Sequence, residues 1–369
     1  MGRRARTVLG LWAAVAIAVG VVGCGGSEES TPGEEEKLEK ALADVDEQVE
    51  KEGPLVGLGE ASPPPPDAAA WKTDFSKRLV PLEEFQSGGP PKDGIPAIDE
   101  PHFTAAKEVD WIGDREPVIS VTVGDQTRGY PIQILTWHEI VNDELSGVPI
   151  AVTFCPLCNT AIVFDRRLDG DVLSFGTTGK LRDSDLVMYD RGTESWWQQF
   201  SGGALVGELA GKKLTQLPAR MVAWEEFREE HPAGLVLDKE TGFFREYGVN
   251  PYAGYDSVDS SPLFPTRNTD DDRLPPKERV VYVEVSDDAF AVPFALLAEQ
   301  RTVMIETDGG ELVVRWRGGV ASALDDVTIA GGRDVGAANV LLDGDPVPFN
   351  EPFWFAVAAF RPDIEIVDG

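Results

Sequence analysis

Short runs of apolar residues recur between turn residues along positions 71–369. Residues 118–123 are largely β-branched and alternate in polarity, which predicts a strand. Pro131 is suited to open a helix over residues 132–145, which Ser146-Gly147 would end. Residues 149–154 form a continuous apolar run, which is typical of a buried strand.

Further patterns predict a chain dominated by short strands. Residues 161–164 and 172–175 flank Arg167-Leu168-Asp169-Gly170, a hairpin signal. We also expect strands at 186–189, 204–206 and 235–237, and a short helix at 224–230. Together these elements predict an α+β fold, rich in mostly antiparallel sheet, with short helices.

The pattern of residues 118–125 returns in residues 280–287, 162 positions later. At the same offset Pro131 matches Pro293, and further on Trp224 and Pro232 match Trp354 and Pro362. Self-similarity of this kind indicates two copies of one structural unit. We therefore expect two lobes related by internal duplication, at about 95–260 and 261–369.

The N-terminus has the composition of an export signal. Basic residues at 3, 4 and 6 precede an apolar stretch over 8–22, which ends in Val21-Val22-Gly23-Cys24. This resembles the lipobox of bacterial lipoproteins, and the apolar stretch is shorter than the roughly 20 residues that span a bilayer. Residues 1–24 are thus interpreted as a lipoprotein signal peptide with lipidation at Cys24. The acidic, proline-rich residues 25–70 would tether a globular domain, residues 71–369, to the cell membrane on its extracytoplasmic side.

The formal net charge of −31 argues against a nucleic-acid partner, because such binding needs a basic face. It also argues against docking on anionic lipid. The membrane, reached through the lipid anchor, is therefore the one partner that the sequence indicates, and it identifies no protein or small-molecule partner. No dinucleotide or phosphate-loop motif is present, so we expect no nucleotide cofactor.

Chemistry is concentrated in Phe154-Cys155-Pro156-Leu157-Cys158-Asn159. Two thiols at this spacing can hold a soft metal ion, close a disulfide or cycle between both states. The residues that follow are β-branched, so the helix of thioredoxin-like sites is not expected. A tight metal knuckle is the favoured interpretation, with Asn159 in the left-handed conformation that usually requires glycine.

Histidines are the natural further ligands. His138 and His231 join Cys155 and Cys158 as metal candidates, which suits copper or zinc. At the matching positions the second copy has Gln300, Arg361, Gly318 and Ala321, so only one lobe keeps these groups. The alternatives remain open: His138 can be a core histidine bonded to a carbonyl, and His231 can simply end a helix.

A second polar stretch follows the thiols and is missing from the second copy. Its cleft candidates are Arg182, Asp185, Asp190, Arg191 and Trp196. Interleaved acids and arginines can line a cleft, but structural ion pairs produce the same pattern.

Several of these motifs, in this order, resemble the prokaryotic "domain of unknown function 3179" family over roughly residues 95–369. The resemblance rests on Tyr130-Pro131, His138-Glu139, the Cys155–Cys158 motif, residues 184–191, Trp196-Trp197-Gln198-Gln199 and His231-Pro232. Asn159, where the family more often has glycine, and the doubled tryptophan depart from its pattern. The resemblance implies a domain and no settled activity.

The sequence thus predicts a lipid-anchored protein with a metal site at Cys155 and Cys158. One alternative is a thiol–disulfide oxidoreductase in which Cys155 attacks and Cys158 resolves. Another is a non-catalytic surface module in which the cysteines form a structural disulfide. Whether the protein is an enzyme stays undecided at this level.

Overall fold

Alternating and β-branched segments dominate the fold, as the sequence pattern predicts. The structure, a computed structural model, describes residues 63–369. The predicted signal peptide, Cys24 and most of the predicted tether lie outside the described residues. Within them, four α-helices of seven residues each are α1 (Ile132–His138), α2 (Trp224–Glu230), α3 (Phe294–Gln300) and α4 (Trp354–Phe360).

The strands are numbered in chain order. The first sixteen are β1 (Gln86–Ser87), β2 (Phe103–Ala105), β3 (Pro117–Val123), β4 (Gln126–Pro131), β5 (Ile140–Leu145), β6 (Val148–Cys155), β7 (Thr160–Asp165), β8 (Arg167–Leu168), β9 (Asp171–Val172), β10 (Phe175–Arg182), β11 (Asp185–Asp190), β12 (Trp196–Gln198), β13 (Gly203–Val206), β14 (Gln216–Leu217), β15 (Ala219–Ala223) and β16 (Leu235–Leu237). The others are β17 (Val280–Val285), β18 (Asp288–Pro293), β19 (Thr302–Thr307), β20 (Gly310–Arg317), β21 (Ala337–Leu342), β22 (Asp345–Pro346), β23 (Phe349–Asn350) and β24 (Glu365–Ile366).

These strands form five larger sheets, arranged as a propeller-like ring of five blades. Sheet I has the order β1-β10-β11-β12-β13, sheet II β14-β7-β6-β5, and sheet III β15-β3-β4-β16-β2. Sheet IV has the order β23-β17-β18-β24, and sheet V β19-β20-β21-β22. Strand pairing is antiparallel except where β16 lies beside β4 and β24 beside β18. The predicted β-rich, mostly antiparallel fold with short helices is confirmed.

Two stretches of the chain follow the same order of elements. Strands β3 and β4 are followed by α1, β5 and β6, while β17 and β18 are followed by α3, β19 and β20. Sheets III and IV also share a strand order, because β15-β3-β4-β16 corresponds to β23-β17-β18-β24, each with one parallel pair at the same place.

The predicted helix over residues 132–145 is wrong beyond His138. The helix ends there because Glu139 adopts a positive φ of 59°. Residues 140–145 then form strand β5, paired with β6 through a hairpin at Ser146 and Gly147. The apolar spacing of this stretch suits a helix, but Ile140 and Val141 are β-branched and complete the buried face of sheet II.

The main hydrophobic core extends across both halves of the described chain. It includes buried residues of sheets II and III, such as Ile119 and Val152, together with Phe353 and Trp354 of the second half. Residues 239–278 connect β16 to β17 without regular strands or helices, and we call them the covering segment. None of the helices within residues 63–369 has the length and apolar character needed to cross a bilayer.

Candidate functional site

The two cysteines lie at a tight turn between strands β6 and β7. Cys155 ends β6 and pairs across the hairpin with Thr160, the first residue of β7. Asn159 closes the turn with a φ of 58°, so the predicted left-handed asparagine is confirmed. Both cysteines are buried free thiols. The turn therefore directs both sulfur atoms into the interior.

A second hairpin brings a carboxylate to the sulfurs. Strands β10 and β11 are joined by Asp183 and Ser184, with φ values of 53° and 59°, the conformation of a type I′ turn. Asp185 follows directly, and its Oδ1 lies 2.9 Å from the Sγ of Cys158. One ligand atom each of Cys155, Cys158 and Asp185 forms a group whose members lie within 4.8 Å of one another.

The Asp185 carboxylate is held in place from behind. Its Oδ2 accepts hydrogen bonds from Gln198 Nε2 at 2.5 Å and from the backbone N–H of Phe200 at 2.9 Å. Arg182 in turn donates to the Oε1 of Gln198 at 3.3 Å. Such support fixes the orientation of a carboxylate that faces a metal ion or a reacting group.

Glu139 adds a second buried acid at this place. Its backbone conformation ends helix α1, and the residue is buried, with 8% of its surface exposed. Burial, together with the nearby Asp185, raises the pKa of Glu139 to about 8. Among the described residues no lysine or arginine forms an ion pair with Glu139 or with Asp185.

The environment disfavours negative charge at every member of the group. Burial raises the pKa of Asp185 to about 6 and raises the pKa values of both thiols above their ordinary value. Without a cation, the thiols therefore keep their protons at neutral pH. A bound cation would reverse this preference, because it compensates the buried negative charge.

The covering segment closes the site from outside. Tyr255 donates its hydroxyl proton to the carbonyl of Leu157 at 2.9 Å, within the cysteine turn. Ser184 donates to the carbonyl of Phe264 at 2.9 Å. Arg267 forms an ion pair with Asp183, with Nη2 and Oδ2 2.6 Å apart. The covering segment is thus attached to both turns that carry the thiols and the carboxylate.

The second half of the chain supports the cysteine turn from the other side. Asn159 donates through Nδ2 to the carbonyl of Glu351 at 2.7 Å. The backbone N–H of Phe353 donates to the carbonyl of Cys158 at 2.9 Å. The turn is therefore fixed by residues that lie almost 200 positions later in the chain.

Neither histidine belongs to the thiol group. The Nδ1 of His138 lies 2.7 Å from the carbonyl oxygen of Pro96, and its Nε2 lies 2.7 Å from the hydroxyl of Tyr247. Both ring nitrogens are thus engaged elsewhere, as in the alternative of a core histidine. His231 follows the last residue of α2, donates its backbone N–H to Phe227 and contacts the ring of that residue. Asp185, rather than a histidine, joins the cysteines.

The other predicted cleft residues are separated by their contacts. Asp190 is buried and accepts bonds from Thr193, Ser195 and Trp197, which is a structural arrangement. Arg191 pairs with Asp99, and Arg182 pairs with Glu84. Trp196 packs among Trp71, Phe75 and Phe85. Of the five candidates, only Asp185 contacts a cysteine sulfur. Arg182 donates to Gln198, which in turn donates to Asp185.

Sequence reasoning passed over several residues of the site. Glu139, Gln198 and Gln199 stand in the quoted family motifs but received no role. Gln199 accepts from the hydroxyl of Thr160 at 2.7 Å, and Thr160 lies 3.1 Å from the Cys158 sulfur. Tyr255 lies in a segment without periodicity, so no sequence pattern would have connected it to the cysteines.

Fold and site together define a β-rich protein with a buried dithiol–carboxylate group between two hairpin turns. Residues 92–364 match the model of the family described as "Protein of unknown function (DUF3179)", and the chain belongs to that family. No curated protein and no solved structure shows significant similarity to the chain.

Proposed function

We propose that the protein binds one zinc ion through Cys155, Cys158 and Asp185. The observation that carries this proposal is the buried group of three ligand atoms within 4.8 Å of one another. Donors bound to one tetrahedral zinc ion lie roughly 3–4 Å apart at bond lengths of about 2.0–2.3 Å. A small rearrangement of these side chains, in which the 2.9 Å separation of Cys158 Sγ and Asp185 Oδ1 lengthens, would therefore accommodate the ion.

The donor set favours zinc over copper, the other metal that the sequence indicates. Thiolates alone suit both Cu(I) and Zn(II), whereas a carboxylate suits the harder Zn(II). Two thiolates and one carboxylate also leave a fourth position for water or for a further group. Glu139 lies outside the group of three but close enough to Asp185 for that carboxylate to help raise the pKa of Glu139.

Charge compensation supports the same conclusion. Two thiolates and the Asp185 carboxylate would place three negative charges in the interior, and a buried charge without a partner is strongly unfavourable. A divalent cation offsets most of that cost and displaces the thiol protons. The bonds from Gln198 and Phe200 to Asp185 leave its Oδ1 directed at Cys158.

Metal analysis of the full chain, purified under reducing and anaerobic conditions, tests this function. We expect about one zinc ion per chain, and a thiolate-to-metal charge-transfer band after cobalt replacement. Cys158→Ser and Asp185→Asn should lose both signals. His231→Gln, which changes a predicted ligand outside the group, is the matched control and should retain them. A wild-type chain that binds neither ion would refute the zinc site.

One contact favours a second candidate, thiol–disulfide exchange. Because Asp185 Oδ1 lies 2.9 Å from Cys158 Sγ, Asp185 can accept the proton of that thiol. Cys155 would attack a substrate disulfide and Cys158 would resolve the mixed disulfide. The substrate gains two electrons and two protons, and the two cysteines become a disulfide. Burial of Cys155 beneath the covering segment counts against this reaction with large substrates.

The reduction potential of the cysteine pair separates these alternatives. Structural disulfides typically have reduction potentials below about −300 mV. A potential well above that value would support exchange. A lower potential, with no metal bound, would support the structural disulfide of a non-catalytic module. In that case Cys155→Ser and Cys158→Ser should change only stability.

We further infer that the two halves of the domain arose by internal duplication. The repeated sequence pattern, the same order of elements and the matching sheets III and IV support this inference. The thiols occur in one half alone, since Gly318 and Ala321 occupy the matching positions. If the two units are interchangeable, a protein in which a second copy of the first half replaces the second half should fold.

Membrane attachment through Cys24 completes the proposal. The signal-peptide pattern of residues 1–24 and the acidic, proline-rich stretch after it support a lipid-anchored extracytoplasmic protein. Cys24→Ala should move the protein out of the membrane fraction. Retention of the variant in that fraction would contradict the anchor.

A further inference from the structure

Two clefts of similar size lie beside sheets III and IV, at corresponding places. The cleft beside sheet III has a volume of about 530 Å³, and the cleft beside sheet IV, the aromatic cleft, about 500 Å³. Residues that line the two clefts occupy matching positions in the two halves. Ser120 matches Tyr282 at the offset of 162 positions, and Glu230 and His231 match Phe360 and Arg361 at the offset of 130. The shared scaffold therefore creates a cleft in both halves, and the side chains distinguish them.

The aromatic cleft has a floor of rings. Phe200 stacks on Phe360, with ring centroids 4.7 Å apart, and lies 5.2 Å from the ring of Tyr282. In the other cleft the positions of Tyr282 and Phe360 hold Ser120 and Glu230. A ring-shaped ligand would thus find the three rings of Phe200, Tyr282 and Phe360 in the aromatic cleft, whereas the cleft beside sheet III offers mainly aliphatic side chains such as Val340 and Leu341.

The rim of the aromatic cleft carries more positive than negative charge. Arg361 forms an ion pair with Glu284, and the Nζ of Lys213 lies 3.9 Å from the same carboxylate. Glu284 is the one acid among the described residues that line this cleft. Because two cations share one carboxylate, the rim has an excess positive charge in a chain of net charge −31. Such a local excess favours an anionic group on the ligand.

We propose that the aromatic cleft binds a small ring compound that bears a carboxylate. The ring would lie against Phe200, Tyr282 and Phe360, and the carboxylate would interact with Lys213 and Arg361. The cleft volume lies within the range of about 300–1,000 Å³ that is usual for small-molecule sites. This binding is independent of the zinc proposal.

The aromatic cleft adjoins the thiol group through one residue. The ring of Phe200 lines the cleft, while its backbone N–H donates to Asp185 at 2.9 Å. Arg182, which supports Gln198 behind Asp185, also lies over the ring of Phe360 at 5.7 Å. A ligand in the cleft would therefore lie against the residues that hold Asp185.

Benzoate is a suitable probe because it combines a ring with a carboxylate. We expect the full-length chain in detergent to bind benzoate saturably, measured by calorimetry and by ligand-observed NMR. Acetate keeps the carboxylate but lacks the ring, and benzyl alcohol keeps the ring but lacks the carboxylate. Each should therefore bind at least about tenfold more weakly than benzoate. Lys213→Ala should weaken benzoate binding roughly tenfold, and Lys213→Arg should restore it.

Arg220→Ala, in the cleft beside sheet III, is the matched control and should leave benzoate affinity unchanged. Lys213 is largely exposed, with 63% of its side chain accessible, so its replacement should not alter the melting temperature. The proposal is overturned by wild-type protein that shows no saturable binding, or by equal binding of the three probes. Equal losses in Lys213→Ala and Arg220→Ala would overturn it as well.

Discussion

Two fully buried aspartates in this chain have opposite surroundings. Asp256 forms ion pairs with Arg279 and Arg333, 3.2 and 2.6 Å away, and also accepts from Ser322. Burial opposes its ionisation, but the two arginines outweigh that effect and lower the pKa of Asp256. Asp185 contacts a thiol, an amide and a backbone N–H, and its pKa is raised to about 6 by burial.

This difference distinguishes a structural ion-pair network, around Asp256, from a candidate functional site, around Asp185. Around Asp256 the protein itself supplies the compensating cations, so the group is complete as it stands. Around Asp185 the charge is left for a proton or a metal ion to compensate. Ser322 of the Asp256 network directly follows Ala321, which the proposed internal duplication pairs with Cys158. Under that proposal the two halves place different polar chemistry at corresponding positions.

The largest effect is expected at Asp256. Asp256→Ala leaves Arg279 buried without its ion-pair partner, and loss of one partner of a buried pair costs about 3–5 kcal/mol. The free energy of unfolding, measured by urea denaturation, should fall by that amount. Glu208→Ala, which removes an exposed pair with Lys77, should leave it almost unchanged. A similarly small loss at Asp256 would abolish the distinction between the two aspartates.

Asp185 should respond differently to a comparable change. In the metal-free protein Asp185→Asn should alter the free energy of unfolding by no more than about 1 kcal/mol, because the amide keeps the shape and removes an uncompensated charge. Zinc affinity should nevertheless fall more than about 100-fold, since loss of a group that merely supports a ligand already costs roughly 10–100-fold. Competition titration with a chromophoric chelator measures this change. Unchanged affinity in a folded variant would remove Asp185 from the ligands.

The pH dependence of stability should show the same contrast. In the folded protein the pKa of Glu139 is raised from 4.5 to about 8, so the folded state retains a proton that the unfolded state loses. The free energy of unfolding of metal-free protein should therefore decrease as the pH rises from about 5 to 8. Glu139→Gln should flatten this decrease, and Glu208→Gln should not. Parallel pH profiles for wild type and Glu139→Gln would show that Glu139 is not responsible.

An effect smaller than that at Asp256 is expected at Asn159, which shapes the cysteine turn. Its φ of 58° is costly for alanine by about 1–2 kcal/mol, and Asn159→Ala also loses the bond to Glu351. Asn159→Gly loses the bond but accepts the conformation, so its cost should stay near about 1 kcal/mol. Thermal unfolding of both variants measures the difference. If alanine and glycine prove equal, the turn does not depend on the left-handed conformation.

Local patterns carried most of the correct predictions. The strands near 118–123 and 149–154, the helix at 224–230 and the left-handed Asn159 all depend on near neighbours in the chain. The predicted helix over 132–145 is wrong because Glu139 ends it with a positive φ. Glutamate rarely adopts that conformation, so the sequence gives no indication of a helix end at this position. The strand that follows is then fixed by pairing with β6.

The site itself depends on contacts that local patterns do not contain. Asp185 was among five cleft candidates, but only the register of β10 and β11 brings it to the sulfurs of a different sheet. His138 was predicted as a ligand, but it is the last residue of α1, and its ring nitrogens contact Pro96 and Tyr247 instead of the sulfurs. No local pattern around His138 indicates these partners, which lie 42 and 109 positions away.

For the proposed zinc site, the covering segment has a consequence for the timing of metal acquisition. The thiols and Asp185 are synthesised well before residues 239–278, which later close over them. An ion could therefore enter freely while the polypeptide is still maturing, and afterwards only during local opening. We expect the exchange rate of the ion to follow the opening rate of that segment, as measured by hydrogen exchange at Tyr255. Slow exchange would then reflect the order of assembly rather than the strength of the metal–ligand bonds.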